Sequence, residues 1–573
     1  MSSVVLVLVG LSFLFLGYKF YSKFIGYRIF DIQNDSHPVP SKAYEDGVDF
    51  VPTKKHILFG HHFTSIAGAA PIIGPCVAAF WGWLPALIWI LVGTVFMGAV
   101  HDFGALVTSV KEKGRSIADI AGMTISKRVR IMFLIFIILL VWLVLAVFAM
   151  AIADLFVGIP ASVIPINVEI IIAIIMGFLI YKKRMDSLVP SLIALATLYF
   201  FVWVGTKAPI DFTDAMPVQD AKNLWIILLF IYSAIASLLP VWTLLQPRDY
   251  INSHQLFVGL GLLFLGIFVA QPIVDAPAIR SFSEPGVPGL FPLLFVTIAC
   301  GAISGFHGLV ASGTSSKQLE KLSDARMVGY GGMIGEGTLA LASTVAAVAG
   351  ISLVTQCDLP TVGFVDDLNW AVYYDSWEHA SGNKASAFVL GGGALLQSLG
   401  ISAGISNTLM AVLVISFAAT TLDTATRIQR FILNEFGVAT KIKFLANRYM
   451  ATAIAIFPAI FLAFWNVSNS GTEATRQAGW LLWPIFGASN QMLAALTLMV
   501  LTLYYWQKKK PILPLLIPML LIMVLTFSAL VTNAIKFYGA NNILFGLTIV
   551  LLGLIIWMAF EGVIKVLEIR RTM

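Results

Sequence analysis

Long apolar runs that hold almost no charged residues are the feature that most limits how this chain can fold. About fifteen runs of roughly 20 residues alternate with shorter stretches in which the charged residues are concentrated. A helix of that length spans the hydrocarbon core of a bilayer. Charged residues make up only 12% of the chain, about half the share that is usual in soluble domains. The sequence therefore predicts an all-α polytopic membrane protein and excludes a soluble enzyme, a nucleic-acid-binding module and a disordered scaffold.

The apolar runs predict about 15 transmembrane helices. Their bounds are 4–22, 57–82, 84–107, 130–156, 166–181, 188–206, 223–245, 254–272, 290–313, 330–355, 405–425, 446–466, 478–506, 511–533 and 542–567. Strands of an outer-membrane barrel alternate apolar and polar residues over about ten positions, a pattern that these runs lack. The first run has no basic segment before it and no cleavage signal after it, so it is predicted to be a retained helix.

The charges between the runs predict the side of the membrane on which each loop lies. Lysine and arginine are concentrated in 108–129, 182–184 and 507–510, whereas 207–222 and 356–383 are acidic. Basic residues mark cytoplasmic loops. The alternation predicts an N-terminus outside the cell and a C-terminus in the cytoplasm.

The same alternation settles two local questions. Arg248 is predicted to lie in a cytoplasmic loop. Only one crossing fits between the acidic loop and the basic residues after 425, so the apolar stretch 384–400 is predicted to be re-entrant or to lie at the outer surface.

Two predicted crossings, 57–82 and 290–313, are interrupted by helix-breaking residues. These are Gly68, Pro71, Gly74 and Pro75 in the first, and Gly301, Gly305, Gly308 and Gly313 around His307 in the second. The loop charges give the two crossings opposite directions, as an inverted repeat requires. Broken backbone within a bilayer must face protein or water, and half-helix ends attract ions and carboxylates. The alternative is that these residues only kink ordinary membrane helices.

The interrupted crossings are the predicted substrate site. The candidate residues are Gly68, Ala69, Ala70, Pro71 and Gly74 in the first crossing, and Ser304, Gly305 and His307 in the second. The amide ends of the broken helices are predicted to hold a substrate carboxylate.

Ionisable and hydroxyl side chains within the runs are candidates for ion coupling, because a charge at the bilayer centre is costly. Glu336 either carries a proton or is a carboxylate that binds a neighbouring helix. Thr420 and Thr421 either complete a sodium site or pack against other helices, and the second use is favoured by the residues alone. Asp423 and Arg427 are spaced to pair on one helix.

Histidines in three runs raise the question of a metal. His101 and Asp102 are adjacent, and they form a proton relay, a pair of metal ligands or a polar pair at a helix end. A metal bound by His61, His101 and Asp102, or by His307, is the less favoured alternative, because no zinc motif with ligand spacing is present.

Seven long motifs together resemble the carbon starvation protein A family of bacterial inner-membrane transporters. They are VDFVPTKKHILFGHHFTSIAGAAPIIGP (48–75), GAVHDFGAL (98–106), LLPVWTLLQPRDYIN (238–252), SGFHGLVASGTSSKQL (304–319), GYGGMIGEGTLAL (329–341), ISFAATTLDTATRIQRFILNE (415–435) and WLLWPIFGASNQMLAALTL (480–498). The resemblance extends over nearly the whole chain.

The resemblance implies a fold of the amino acid–polyamine–organocation superfamily, with a leucine-transporter-like inverted repeat of five helices. It makes 57–82, 290–313 and 405–425 the first, sixth and eighth core helices. The predicted division is a first helix and cytoplasmic loop (1–56), a transporter core with inserted helices (57–506) and two peripheral helices (507–573). It also adds Ser65 and Gly68 to Thr420, Thr421 and Glu336 as candidate ion-coupling residues.

The resemblance implies a secondary active transporter of the inner membrane rather than an enzyme. Such a protein imports small nutrients during carbon starvation stress, either peptides or pyruvate-like small carboxylates, by symport with Na⁺ or H⁺. It requires a small-molecule substrate and the lipid bilayer as partners, and no cofactor. A gradient-independent channel and a membrane sensor of nutrient state are the alternatives.

Overall fold

The computed structural model of the chain consists almost entirely of helices that pack side by side. The structure describes residues 2–33, 38–47, 49–281, 286–359, 363–382, 385–468, 475–477 and 479–572. Helices satisfy their backbone hydrogen bonds internally, which is what a chain inside lipid requires. The prediction of an all-α polytopic membrane protein is confirmed.

Within the described residues, 12 helices are long and apolar enough to cross a membrane. They are Ser3–Ile29, Trp83–Lys111, Lys127–Gly158, Pro160–Lys182, Leu188–Asp214, Val218–Leu238, Leu245–Ala270, Leu322–Val348, Ala403–Thr440, Leu482–Gln507, Leu513–Phe537 and Asn542–Arg571. A thirteenth candidate for a crossing is a pair of helices, Lys55–Ala67 and Ala70–Trp81, that meet at an angle of 44°.

Besides the bent pair, two of the 15 predicted crossings do not form one long helix. Residues 290–313 form three short helices, Leu290–Thr297, Ala299–Ala302 and Gly305–Gly313. The Arg448–Phe464 helix has 17 residues and would be about 25 Å long at 1.5 Å per residue, slightly less than the hydrocarbon core. The count of 15 therefore stays a prediction.

The shorter elements connect these helices. They are the helices Pro40–Ala43, Ile117–Thr124, Trp370–Tyr373, Trp377–Gly382 and Ser386–Gln397, and the antiparallel strand pairs Gln356–Leu359 with Gly363–Asp366 and Asn466–Ser468 with Thr475–Gln477. Ser386–Gln397 has 12 residues and is therefore only about 18 Å long. This length agrees with the prediction that 384–400 does not cross the membrane.

Burial separates a central group of helices from a peripheral one. Ala403–Thr440, called the long helix below, and Leu482–Gln507 are covered along most of their apolar length. Peripheral helices expose large apolar side chains such as Phe15, Ile193 and Phe560. In water such a surface would drive association, whereas here it is what lipid would cover.

Loops that the charge pattern places outside the cell contact one another. The Ser3 amide donates to the Pro272 carbonyl at 3.2 Å. Arg280, in the following loop, donates from Nη1 to the Tyr374 carbonyl in the acidic loop at 2.6 Å. These contacts place the N-terminus and both loops at the same end of the helix bundle.

Loops that the pattern places in the cytoplasm also contact one another. The Thr53 amide donates to the Gln318 carbonyl at 3.0 Å, and Lys111 Nζ donates to the Phe30 carbonyl at 2.6 Å. The grouping of loops therefore agrees with the charge pattern, whereas the side of the membrane that each group faces stays a prediction.

Candidate functional site

The first broken segment, Lys55–Ala67 and Ala70–Trp81, turns at Gly68. Gly68 has φ +54° and ψ −162°, a conformation that residues with a Cβ rarely adopt. A Cβ added there would lie 2.7 Å from Thr421 Oγ1 of the long helix. Pro71 lies in the first turn of the new helix, where its missing N–H breaks no hydrogen bond. The predicted interruption is confirmed, and glycine alone makes the turn.

The second broken segment, Leu290–Gly313, opens at Ile303 and Ser304, which are extended. Asn490 of the Leu482–Gln507 helix fills this opening. Its Oδ1 accepts a hydrogen bond from the Phe306 amide at 2.9 Å, and its Nδ2 donates to Ser304 Oγ at 2.9 Å. The amide end that was predicted to hold a substrate carboxylate is therefore already capped by a side chain.

We expect Asn490→Ala to lower the free energy of unfolding by about 2–3 kcal/mol, because it leaves the buried Phe306 amide and Ser304 hydroxyl without their partner. Thermal unfolding of the purified protein measures this. Asn447→Ala is the matched control, since Asn447 caps the exposed start of the Arg448–Phe464 helix. If the two variants lost the same free energy of unfolding, the buried hydrogen bonds of Asn490 would stabilise the protein no more than an exposed helix cap does.

The two broken segments touch where each is interrupted. A Cβ added at Gly74 would lie 2.5 Å from the Thr297 carbonyl oxygen and 3.2 Å from Ile298 Cα. A Cβ added at Gly301 would lie 3.6 Å from Pro71 Cα. Small residues allow backbones in a membrane to approach this closely. Of the predicted substrate residues, Pro71 and Gly74 of the first segment take part in this contact, whereas the second segment contributes Thr297, Ile298 and Gly301, which were not predicted to bind substrate.

Four buried ionisable side chains connect the second broken segment to its neighbours. Asp102 bridges two histidines, with Oδ1 at 2.7 Å from His101 Nδ1 and Oδ2 at 3.0 Å from His307 Nδ1. His307 Nε2 lies 3.3 Å from Glu336 Oε2. All four side chains are fully buried. We call His101, Asp102, His307 and Glu336 the Asp102 cluster.

The Asp102 cluster combines residues that the sequence assigned to three different roles. His101 and Asp102 were predicted as metal ligands or a relay, His307 as a substrate residue and Glu336 as an ion-coupling residue. Imidazole and carboxylate groups at these distances can pass a proton from one to the next. Both oxygens of Glu336 lack a hydrogen bond of good geometry within the described part of the chain. The cluster is thus suited to hold and release protons in a buried environment.

The residues predicted to bind a metal lie in two separate clusters. His61 Nδ1 pairs with Asp249 Oδ2 at 2.6 Å, whereas His101 and Asp102 belong to the Asp102 cluster. In the residues that the structure describes, no group of three or more His, Cys, Asp or Glu side chains is placed to hold a metal. The predicted site of His61, His101 and Asp102 therefore does not assemble.

The predicted cation ligands are only partly brought together. Thr421 Oγ1 faces Gly68 and has no hydrogen-bond partner among the described residues. Thr420 Oγ1 instead accepts from Asn252 Nδ2 at 2.9 Å, and Ser65 Oγ donates to Asp249 Oδ2 at 3.2 Å. Two of the predicted oxygen ligands are thus engaged by the Leu245–Ala270 helix.

A polar layer on the Leu245–Ala270 helix was not predicted. Arg248, predicted in a cytoplasmic loop, lies in this helix with only 2% of its surface exposed. Its Nη1 lies 2.5 Å from Asp423 Oδ2. The prediction of an Asp423–Arg427 pair is therefore wrong, since Arg427 donates instead to the carbonyls of Ala236 and Leu239.

A further buried carboxylate, Glu169, lies opposite this layer. Its Oε2 accepts from Ser416 Oγ of the long helix at 2.8 Å. A signal for it was present, because Glu169 is a single acid within the predicted crossing 166–181. Arg248 was missed because basic residues near the ends of apolar runs were assigned to cytoplasmic loops, which treats them as exposed.

Comparisons with known proteins agree with this architecture. The family model for carbon starvation protein CstA matches residues 2–529. The peptide transporter CstA of Helicobacter pylori strain J99 is 33% identical, with 89% of this chain and 79% of that protein aligned. The pyruvate/proton symporter BtsT of Escherichia coli K12 is 30% identical, with 89% of this chain and 78% of that protein aligned.

Solved structures that are similar in fold include the manganese transporter of Eremococcus coleocola in complex with an aromatic bis-isothiourea compound. Its TM-score is 0.50, with 14% identity over 92% of this chain and 99% of that one. At this identity the likeness concerns the fold alone.

Proposed function

The chain belongs to the carbon starvation protein CstA family, and from that premise we propose that it imports small nutrients by proton-coupled alternating access. The observation that carries the proposal is the Asp102 cluster, which is buried where the second broken segment meets its neighbours. A proton bound there changes the charge of a site that water does not screen. Protonation can therefore bias which way the broken segments open.

Protons are favoured over sodium by the arrangement of the hydroxyl groups. Of the predicted oxygen ligands, Thr420 and Ser65 already bind other side chains. Sodium would have to replace those hydrogen bonds, whereas the Asp102 cluster offers donors and acceptors in contact. One relative is a pyruvate/proton symporter, which also supports protons as the coupling ion.

The substrate class follows from the relatives, whose names specify peptides and pyruvate. We propose that the solute passes between the broken segments, along Gly68–Gly74 and Ser304–His307. The leucine-transporter-like repeat and the division into a core (57–506) with peripheral ends (1–56 and 507–573) are part of the same proposal. The contact between the two broken segments supports it.

Uptake by purified protein in liposomes tests the proposal. Labelled pyruvate and a labelled dipeptide are supplied separately, with an inward proton gradient and then with a sodium gradient. We expect saturable accumulation of one of them under the proton gradient only. Accumulation under sodium alone would contradict proton coupling, and non-saturable uptake without any gradient would indicate a channel.

The orientation in the inner membrane is part of the proposal. The N-terminus lies on the outer side of this membrane and the C-terminus on the cytoplasmic side. Cys357 lies in the acidic loop and is partly exposed, whereas Cys76 and Cys300 are buried. A membrane-impermeant maleimide is expected to label Cys357 in right-side-out vesicles and not in inside-out ones. The reverse pattern would invert the orientation, and Cys357→Ser is the control for specific labelling.

The rate of that labelling is expected to depend on pH. Burial and the neighbouring Asp358 raise the pKa of the Cys357 thiol. Only the thiolate reacts, so a raised pKa leaves less of it at neutral pH. Labelling should accelerate as pH rises through and beyond the ordinary range of a thiol, about 8–9.

A further inference from the structure

A cavity lies between Lys127–Gly158, Pro160–Lys182, Val218–Leu238, the start of Leu245–Ala270 and the long helix, and no residue of the two broken segments lines it. The space within it, including the part that is open to the surroundings of the protein, is about 550 Å³. Its walls are mainly apolar, with Phe156 and Trp225 among them, and its few polar groups include Glu169, Tyr232 and Arg248. Apolar walls with a few converging polar groups are typical of small-molecule sites.

Arg248 presents one whole edge of its guanidinium without a partner. Nη1 binds Asp423 Oδ2 and also donates to the Tyr232 hydroxyl. Nε and Nη2 are buried and have no hydrogen-bond partner in the described chain. These two nitrogens form the fork that binds a carboxylate through two parallel hydrogen bonds. A buried donor without a partner destabilises the protein, so a ligand that supplies an acceptor at this edge would be bound favourably.

Glu169 leaves one oxygen available in the same cavity. Its Oε2 accepts from Ser416 Oγ, whereas Oε1 is buried and has no partner among the residues described. Only 2% of the Glu169 surface is exposed. Arg248 and Glu169 both line the cavity, so its wall includes one cation and one carboxylate that each keep unpaired atoms within the described residues.

The polar groups lie at one end of the cavity. Tyr232 follows Trp225 by two turns on Val218–Leu238, and Arg248 is in the first turn of Leu245–Ala270, which runs back in the opposite direction. Phe156 lies near the end of Lys127–Gly158, beside Trp225, with ring centroids 4.7 Å apart. A solute that enters past the aromatic pair would reach the charged groups last.

We propose that this cavity binds a small zwitterion, such as an amino acid or a short peptide, with its carboxylate on the Nε–Nη2 edge of Arg248 and its ammonium on Glu169 Oε1. Asp423 already balances the charge of Arg248. A monocarboxylate would therefore add a second negative charge beside Glu169, whereas a zwitterion supplies a cation to match it. As a substrate site this rests on the proposed function, but binding itself does not.

Equilibrium binding to the purified full-length protein tests the assignment. Labelled alanine and labelled dialanine are the probes, and pyruvate, N-acetylalanine and alanine amide are the competitors. We expect a zwitterion to bind saturably and each competitor, which lacks one charge, to bind about 10- to 100-fold more weakly. Alanine and dialanine distinguish the two zwitterion sources. Tighter binding of pyruvate, or no saturable binding of either probe, would overturn the proposal.

Two variants test which side chain binds each charged group of the zwitterion. Arg248→Lys keeps a cation for Asp423 but removes the fork, and Glu169→Gln keeps the acceptor for Ser416 but removes the charge. Each should weaken zwitterion binding about 10- to 100-fold, and Glu169→Gln should at the same time strengthen pyruvate competition. The controls are Arg448→Lys and Glu561→Gln, which lie outside the cavity. Unchanged binding and competition in Glu169→Gln would overturn the proposal even if Arg248→Lys failed to fold.

Uptake separates this proposal from the proposed function. If both variants accumulate dialanine like the wild type under a proton gradient, the import function stands and the cavity is not the substrate site. If the wild type binds a zwitterion with the expected competition pattern but accumulates nothing under any gradient, the site stands and the import function is wrong.

Discussion

Glu336→Gln is expected to abolish accumulation driven by a proton gradient, with at least a 100-fold loss, while exchange of labelled for unlabelled substrate across the same liposomes continues. Glu336 lies at one end of the Asp102 cluster, 3.3 Å from His307. Glutamine keeps the size of the side chain but cannot take up or release a proton. Loss of a coupling proton removes the driving force without closing the substrate path, a factor of 100 being about 2.7 kcal/mol.

The control for this prediction is Glu561→Gln, because Glu561 lies on the C-terminal helix and accepts a hydrogen bond from Ser126. It should accumulate substrate like the wild type. Undiminished accumulation in Glu336→Gln would remove Glu336 from proton coupling. Loss of both accumulation and exchange would instead mean that Glu336 is needed for the substrate path or for folding.

Gly74→Val is expected to destabilise the protein by about 3 kcal/mol or more and to abolish transport. A Cβ at this position would lie 2.5 Å from the Thr297 carbonyl oxygen, and the backbone fixes the position of both atoms, so neither can rotate away. Valine adds two further methyl groups at the contact between the broken segments. Overpacking of a rigid contact costs about 1–3 kcal/mol of stability. The cost is highest where a side chain is forced between two backbone segments, because neither segment can move aside.

Gly553→Val is the matched control, because no described atom lies within 4 Å of a Cβ added there. Both glycines lie within helices, so the change in helix propensity is similar. Thermal unfolding and size-exclusion chromatography of the two variants measure the difference. A Gly74→Val protein as stable as Gly553→Val would show that the two broken segments can separate freely at this point.

Much of the architecture could be predicted because a bilayer leaves few choices. Thirteen of the predicted crossings correspond to the 12 long helices and the bent pair. Each of these follows from local composition, since an apolar run in lipid must satisfy its own backbone. The interruption at Gly68 was also local, because the glycine and a nearby proline are visible in the sequence, and the structure gives this glycine a positive φ.

The pairing of side chains could not be predicted in the same way. Asp102 and His307 are 205 residues apart, and Ser304 and Asn490 are 186 apart. Without knowing which helices are neighbours, each residue had to be interpreted alone. His101 and Asp102 were therefore weighed as metal ligands, although their actual partners are His307 and, through it, Glu336.

Arg248 illustrates why a rule derived from the bilayer can fail. Basic residues near the ends of apolar runs are usually exposed, because burying a charge without a partner is prohibitive. Here Asp423 of the long helix supplies that partner. The sequence contains both charges, but only the packing of Leu245–Ala270 against the long helix brings them together.

The sequence by itself determined the class of protein, the positions of most crossings, the grouping of loops at two ends and the first helix break. These follow from the free energy of placing each residue in lipid or in water, which depends on local composition. The tertiary structure alone decided which buried charges share a site, because the desolvation of one charged group is offset only by another brought near it from a distant part of the chain. The Asp102 cluster and the cavity at Arg248 and Glu169 both arise at this second level.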